Sequence, residues 1–174
     1  IVINMLEQGA DINWTKNGGC TPLYIASQNG HVEVVSVLLE QGADINKAKN
    51  NGVTPLYIAS RNGHAEVVRM LLEGGADIDR AKDGGYTPLL IASMKGLVDV
   101  VEALVEKGAD IDKALDDGVT SLYLASEIGH VKVVSVLAEN GADIKKADND
   151  GATPLLVASE KGHVEVVSVL IKNG

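Results

Sequence analysis

A seven-residue segment occurs five times in this chain, at a fixed interval of 33 residues. It reads Thr-Pro-Leu-Tyr-Ile-Ala-Ser at 21–27 and recurs in varied form from Thr54, Thr87, Thr120 and Thr153. A period of this size is typical of an array of small units that stack side by side, and not of one globular core. We therefore expect the whole of 1–174 to form a single repeat array.

The composition agrees with thin layers of packing. Apolar residues make up 45% of the chain, but aromatic residues make up only 3% and phenylalanine is absent. Large aromatic rings normally fill thick cores, so the interior here must be built from Val, Leu, Ile and Ala. Such small side chains suit a solenoid, in which each unit contacts only its neighbours.

One unit shows how the sequence predicts two short helices. Asn51-Gly52 is a turn signal, and Thr54-Pro55 is typical of an N-cap followed by the first helical residue. The first helix should end near Asn62-Gly63, and a second, apolar on more than one face, should run from His64 to Glu73. By the same pattern we expect helix pairs at about 21–41, 54–74, 87–107, 120–140 and 153–174.

Three motifs together resemble the ankyrin repeat. They are the Gly-x-Thr-Pro-Leu opening, a Gly-His pair before the second helix and a Gly-Ala-Asp triplet after it. The Gly-His pair begins at Gly30, Gly63, Gly129 and Gly162, and the triplet at Gly9, Gly42, Gly75, Gly108 and Gly141. The resemblance implies an all-α solenoid of stacked helix-turn-helix units with β-turn or hairpin fingers. It also implies a concave surface of finger tips and first helices on which partners bind.

The two ends of the chain look like the interior of an array. By alignment with later units, 1–13 should be a truncated second helix and its following loop. Terminal units of solenoids normally have polar outer faces, but both ends here carry Val, Leu, Ile or Met. We therefore expect the chain to be a segment of a longer array, and we expect it to self-associate end to end at high concentration.

Charge and cysteine content exclude several classes of function. The net charge of −9 is spread along the chain and no 33-residue block is basic, so we expect no nucleic-acid partner. No apolar run approaches the roughly 20 residues that span a bilayer, so we expect no membrane contact. Cys20 has no partner for a disulfide, which favours an intracellular, cytoplasmic location.

No motif predicts catalysis, a metal or a cofactor. Each Gly-His histidine lies at least one unit from the next, too far apart for shared zinc ligation, and is expected to bond to local backbone. The aspartates of Gly-Ala-Asp are expected to cap turns, and Cys20 to be an ordinary loop thiol. One alternative stays open, a calcium ion held by Asp110, Asp112, Asp116 and Asp117.

Candidate partner-binding residues are those that vary between units at positions expected to be exposed. The resemblance implies an apolar patch in the third and fourth units, formed by Tyr86, Met94, Val119 and Ile128. An acidic rim would comprise Asp83, Asp116, Asp117 and Glu127. Trp14, the single tryptophan, is either an interface anchor or a residue packed at the truncated end. The resemblance also makes Asn13 and Asn46 conceivable hydroxylation sites.

These observations favour a non-enzymatic binding module that docks a protein or peptide of unknown identity. The alternative is a structural spacer or elastic solenoid segment of a larger protein, with no dedicated ligand.

Overall fold

Residues 11–16 and 18–174 are described by a computed structural model of the chain, and they contain ten α-helices. The helix expected within 1–13 falls mostly outside the described residues. The helices are α1 (Pro22–Asn29), α2 (Val32–Glu40), α3 (Pro55–Asn62), α4 (Ala65–Glu73), α5 (Pro88–Met94), α6 (Val98–Glu106), α7 (Ser121–Ile128), α8 (Val131–Glu139), α9 (Pro154–Lys161) and α10 (Val164–Asn173). They fall in pairs within units 1 to 5, which we number as 14–46, 47–79, 80–112, 113–145 and 146–174.

Each first helix begins and ends at residues that its own sequence supplies. In unit 2 the Thr54 hydroxyl accepts a hydrogen bond from the Tyr57 backbone N–H at 3.1 Å, and Pro55 occupies the first helical position. Gly63 ends the helix at a φ of 81°, a left-handed conformation that a β-carbon would strain. In unit 4 serine replaces the proline, yet α7 still begins at Ser121.

The helices form two layers. The first helices α1, α3, α5, α7 and α9 pack one on the next, and the second helices α2, α4, α6, α8 and α10 form the other layer. The main core lies between the layers and runs from unit 1 to unit 5. Its largest fully buried side chains are leucines such as Leu56, Leu71, Leu104 and Leu137. The predicted all-α repeat solenoid is therefore confirmed, and no described helix is long and apolar enough to cross a membrane.

A ladder of side-chain acceptors joins each unit to the next through the loop that follows the second helix. The Oδ1 atom of Asn46 accepts a hydrogen bond from the Asp77 backbone N–H at 2.9 Å. Asp112 does the same for the Asp143 N–H at 3.0 Å. Asn13 and Asp79 occupy the equivalent positions, and their Oδ1 atoms accept from Asp44 and Asp110. These loops thus hold neighbouring units in register through asparagine or aspartate alike.

The histidines before the second helices also link neighbouring units. The Nε2 atoms of His64 and His163 lie 3.0 Å from the backbone oxygens of Gln28 and Glu127, each in the preceding unit. None of these rings caps its own helix. For His64, His130 and His163 the expectation of a bond to local backbone is therefore wrong, because the stack places a backbone oxygen near the end of the preceding first helix within hydrogen-bond distance of each ring.

One row of serines is buried with hydroxyl groups that form no hydrogen bond to the described residues. The hydroxyl groups of Ser27, Ser60, Ser93 and Ser126 have no hydrogen-bond partner in the part of the chain that the structure describes, and all four residues are fully buried. The equivalent Ser159 is exposed, and its hydroxyl donates to the Leu155 backbone oxygen at 2.7 Å. The repeated position therefore has two different environments.

Candidate functional site

Five tight turns, one before each first helix, project side by side as fingers. In unit 2 the Lys49 N–H donates to the Val53 oxygen at 2.9 Å, and the Gly52 N–H donates back to the Lys49 oxygen at 2.9 Å. Neighbouring fingers also contact one another, since the Asp83 N–H donates to the Asn51 oxygen at 3.1 Å. Backbone hydrogen bonds of this kind connect the fingers of units 1, 2 and 3 with one another and the finger of unit 4 with that of unit 5.

A second apolar cluster, separate from the main core, lies where the fingers meet the first helices. We call it the tyrosine cluster. Its buried members are Tyr24, Val53, Tyr57, Ile58 and Ile91, and its partly buried members are Cys20, Tyr86 and Met94. It spans units 1 to 3 and joins residues that precede the helix-capping threonine to residues of the first helices. Its margin, at Cys20, Tyr86 and Met94, is partly exposed.

Two of the four apolar residues predicted as one patch belong to the tyrosine cluster. Tyr86 and Met94 lie together at the margin of the tyrosine cluster. Val119 is half-buried in the unit 4 finger and Ile128, at the end of α7, is 43% exposed; neither belongs to that cluster. Tyr24 and Tyr57, which form much of the buried part of this cluster, were not among the candidate binding residues predicted from the sequence. The signal that would have found them is a tyrosine recurring three residues after a capping threonine, beside an apolar residue before that threonine.

The predicted acidic residues lie on the fingers and on one first helix. Asp83, Asp116 and Asp117 are exposed at finger tips, and Glu127 is half-buried near the end of α7. Asn149 in the next finger is held by the backbone of this turn, since its N–H donates to the Asp117 oxygen at 2.8 Å. The turn that carries the Asp116 and Asp117 carboxylates is thus hydrogen-bonded to the next finger.

The tyrosines of this surface have contrasting surroundings. The Lys49 ammonium lies 5.3 Å from the centre of the Tyr24 ring, and the Lys82 ammonium lies 5.1 Å from the Tyr86 ring. Burial raises the pKa of Tyr57 to about 12, although nearby Arg61 opposes the shift.

Tyr123 in unit 4 is instead surrounded by carboxylates. Burial, followed by hydrogen bonding with the Asp148 carboxylate and the negative charges of Asp148, Glu127 and Glu160, raises the pKa of Tyr123 to about 12. Hydrogen bonds from the backbone, first that of Ala152, and from Tyr123 lower the pKa of Asp148. Tyr123 is therefore a neutral hydrogen-bond donor within an anionic setting.

Trp14 lies apart from these residues. Its side chain is 62% exposed and lines a shallow depression in unit 1 with Cys20, Ile25, His31 and Val34. The structure does not bring it next to Tyr86 or Met94. Trp14 therefore lies in unit 1 beside Cys20, which is also a partly buried member of the tyrosine cluster.

The structure does not assemble a metal centre from the acidic residues. Asp112 Oδ1 accepts from Asp143, and Asp117 Oδ1 accepts from the Val119 N–H at 3.1 Å, so both are engaged by backbone in different loops. Across residues 11–16 and 18–174, no group of three or more His, Cys, Asp or Glu side chains is placed to hold a metal ion. The side-chain oxygens of Asn13 and Asn46 are likewise engaged between units.

Comparison with known families agrees with this architecture. The family model described as ankyrin repeats (3 copies) matches the chain at 1–82, 48–114 and 89–174, which together cover its whole length. The chain therefore belongs to the ankyrin repeat family, whose members are generally protein-interaction modules. None of the curated proteins that were searched matches the chain significantly.

Proposed function

We propose that this chain is a non-enzymatic interaction module that binds a protein or peptide partner on its concave surface of finger tips and first helices. The tyrosine cluster carries the proposal. It is an apolar cluster outside the main core whose margin, at Tyr86 and Met94, remains partly exposed. Aromatic and apolar anchors surrounded by charged residues are the usual energetic centre of a protein interface.

The surrounding residues fit such an interface. Ile128 exposes an apolar side chain in unit 4, and Asp83, Asp116, Asp117 and Glu127 lie on the same row of fingers and first helices. Backbone hydrogen bonds connect the fingers of units 1 to 3 and those of units 4 and 5, which favours a preformed surface on which little conformational entropy is lost on binding. An intracellular location, as expected from the lone cysteine, is part of the proposal.

The test uses a partner captured by this chain from a cell extract, identified by mass spectrometry and then purified. Ile128→Glu should weaken its binding at least tenfold, about 1.4 kcal/mol, and Tyr86→Glu should do the same. Ile128→Glu is the easier variant to interpret, because Ile128 is exposed and its substitution should have little effect on folding stability. Tyr86 packs on the tyrosine cluster, so the stability of Tyr86→Glu must be checked by thermal unfolding. Unchanged affinity in the Ile128→Glu variant would refute the proposed surface and favour the spacer alternative.

Ile171→Glu is the matched control, because Ile171 is an apolar residue, 64% exposed, on α10 and away from the fingers. It should leave partner binding intact. The same variant tests the end-to-end self-association that we also propose. Sedimentation at millimolar protein should show oligomers of the wild type that Ile171→Glu reduces, and a wild type that stays monomeric would contradict self-association.

A further inference from the structure

Charges are segregated along the surface that the fingers and first helices form. We define the finger face as 16–20, 49–53, 82–86, 115–119 and 148–152, together with the last two residues of each first helix or, in unit 3, Met94 and Lys95. Among its described residues, units 1 to 3 carry five bases, namely Lys16, Lys49, Arg61, Lys82 and Lys95, against one acid, Asp83. Units 4 and 5 carry six acids, namely Asp116, Asp117, Glu127, Asp148, Asp150 and Glu160, against one base, Lys161. The net charge of the face thus changes sign between units 3 and 4.

This change does not follow from the charge of the units as a whole. Counted over complete units, the net charge is −2, 0, −2, −2 and −1 from unit 1 to unit 5. In each unit, the net charge of the remaining positions is therefore opposite in sign to the net charge of the finger-face residues. The polarity is a property of this one surface, and it is the surface where a partner is proposed to bind.

The surroundings of three tyrosines beside the finger face display the same polarity. Tyr24 and Tyr86 have lysine ammonium groups over their rings, at 5.3 Å and 5.1 Å. Tyr123 is surrounded by the carboxylates of Asp148, Glu127 and Glu160. The segregated charges therefore lie directly beside the aromatic side chains and not at a distant rim.

From this arrangement we infer that the finger face binds a polypeptide segment that is itself bipolar, with acidic residues against units 1 to 3, basic residues against units 4 and 5, and apolar residues between them. This inference rests on the proposed function, since it concerns the partner of the same surface. The apolar residues would contact Tyr86 and Met94 at the margin of the tyrosine cluster, and Ile128 beyond it. Opposite charges at the two ends fix the direction in which the segment lies, because the reversed direction places like charges together.

The spacing of the units sets the length of the segment. Packed helices lie roughly 8–10 Å apart, so units 2 and 5 are separated by about 24–30 Å. An extended chain covers about 3.3 Å per residue, so a segment of about seven to nine residues joins the two charged regions. A shorter segment would reach the charges of units 3 and 4 but not those of units 2 and 5 as well.

Two synthetic peptides of identical composition test the inference. One carries three glutamates, a Leu-Trp-Leu centre and three lysines in that order, and the other has the same residues with the charges alternating. Fluorescence anisotropy at about 50 mM salt should show the segregated peptide binding at least tenfold tighter, with a preference that shrinks as salt shortens the screening length. Equal affinities, or no binding of the segregated peptide up to a millimolar, would overturn the inference.

Charge-reversal variants test whether units 1 to 3 and units 4 and 5 of the finger face each bind the peptide. Lys49→Glu with Arg61→Glu should weaken the segregated peptide about tenfold, and Asp116→Lys with Glu127→Lys should do the same. Combining all four changes leaves net charges of 0 on units 1 to 3 and −1 on units 4 and 5 of the face, so the segregated peptide should then bind no tighter than the alternating one. On the wild type, a spin label on the lysine end of the segregated peptide should broaden amide signals of units 4 and 5 and not those of units 1 and 2. A pair of reversals on the second helices, Glu66→Lys and Lys132→Glu, is the control and should have no effect.

The remaining outcomes separate this inference from the proposed function. If both peptides bind equally and Ile128→Glu abolishes both, the surface is correct and its partner is not bipolar. If they bind but Ile128→Glu changes neither affinity, the proposed surface itself is wrong. Two copies of the chain in opposite directions would also match their charges. A wild-type dimer that either half-reversal dissociates would therefore assign the face to a second copy and overturn the peptide inference.

Discussion

Replacing a buried serine with alanine, at Ser60, Ser93 or Ser126, should raise the free energy of unfolding. Each hydroxyl is buried without a hydrogen-bond partner among the described residues. Burying an unsatisfied hydroxyl costs about 1–3 kcal/mol, and alanine has a higher helix propensity than serine by about 0.5 kcal/mol. Lost packing around the missing oxygen offsets part of this gain. We expect a net stabilisation of about 1–2 kcal/mol for each substitution.

Ser159→Ala is the matched control because this serine occupies the same repeat position in unit 5. It is exposed, and its hydroxyl donates to the Leu155 oxygen at 2.7 Å. The propensity gain is the same, but a hydrogen bond worth about 0.5–1.5 kcal/mol is lost, so the net change should be near zero or slightly destabilising. The difference between the buried positions and Ser159 isolates the cost of burying the hydroxyl.

Urea unfolding followed by circular dichroism at 222 nm measures these changes, and thermal unfolding provides a second readout. A gain of 1 kcal/mol corresponds to about 2–4 °C in a chain of this length. The three buried substitutions share no hydrogen-bond partner, so their effects should be approximately additive. If they destabilise the protein more than Ser159→Ala does, the hydroxyls have acceptors after all and the reasoning fails.

Two further predictions concern contacts between units and the titration of tyrosine. Asp112→Ala should cost about 1 kcal/mol because it leaves the next unit's loop N–H without its acceptor, whereas Asp112→Asn should be neutral, as asparagine fills this role elsewhere in the ladder. Equal urea midpoints for the two variants would contradict this. Because the pKa values of Tyr57 and Tyr123 are raised to about 12, the folded state holds their protons more tightly than the unfolded state, and stability should fall as pH rises from about 10 to 12. Absorbance of tyrosinate at 295 nm should show two tyrosines titrating late, and their replacement by phenylalanine should remove that phase; four tyrosines titrating together near pH 10 would be inconsistent with it.

Local sequence was sufficient for the elements whose physical causes lie within a few residues. A threonine caps the amide of the residue three positions later, and a glycine such as Gly63 ends the helix in a conformation that other residues avoid. The 33-residue period then predicted that the pairs would stack, because neither helix is stable alone. These features predicted the repeat solenoid and the place of the fingers.

The candidate site was less accessible from sequence. Tyr86, Met94 and Ile128 were identified by their variation between units, but the tyrosine cluster was not. Its members come from three units, and only the stacking of fingers on neighbouring first helices brings them together. The polarity of the finger face likewise emerges only after the exposed positions are known, since whole units show no such change in charge.

What the sequence by itself determined was the repeat period, the two helices of each unit and the turns between them, because capping and turn preferences act over three or four residues. The tertiary structure alone decided how one unit contacts the next. The hydrogen bond from Asp77 to Asn46 joins residues 31 positions apart, and that between His64 and Gln28 joins residues 36 positions apart. Such pairings depend on the distance and rotation between stacked units, which packing of the whole core sets and no short segment encodes.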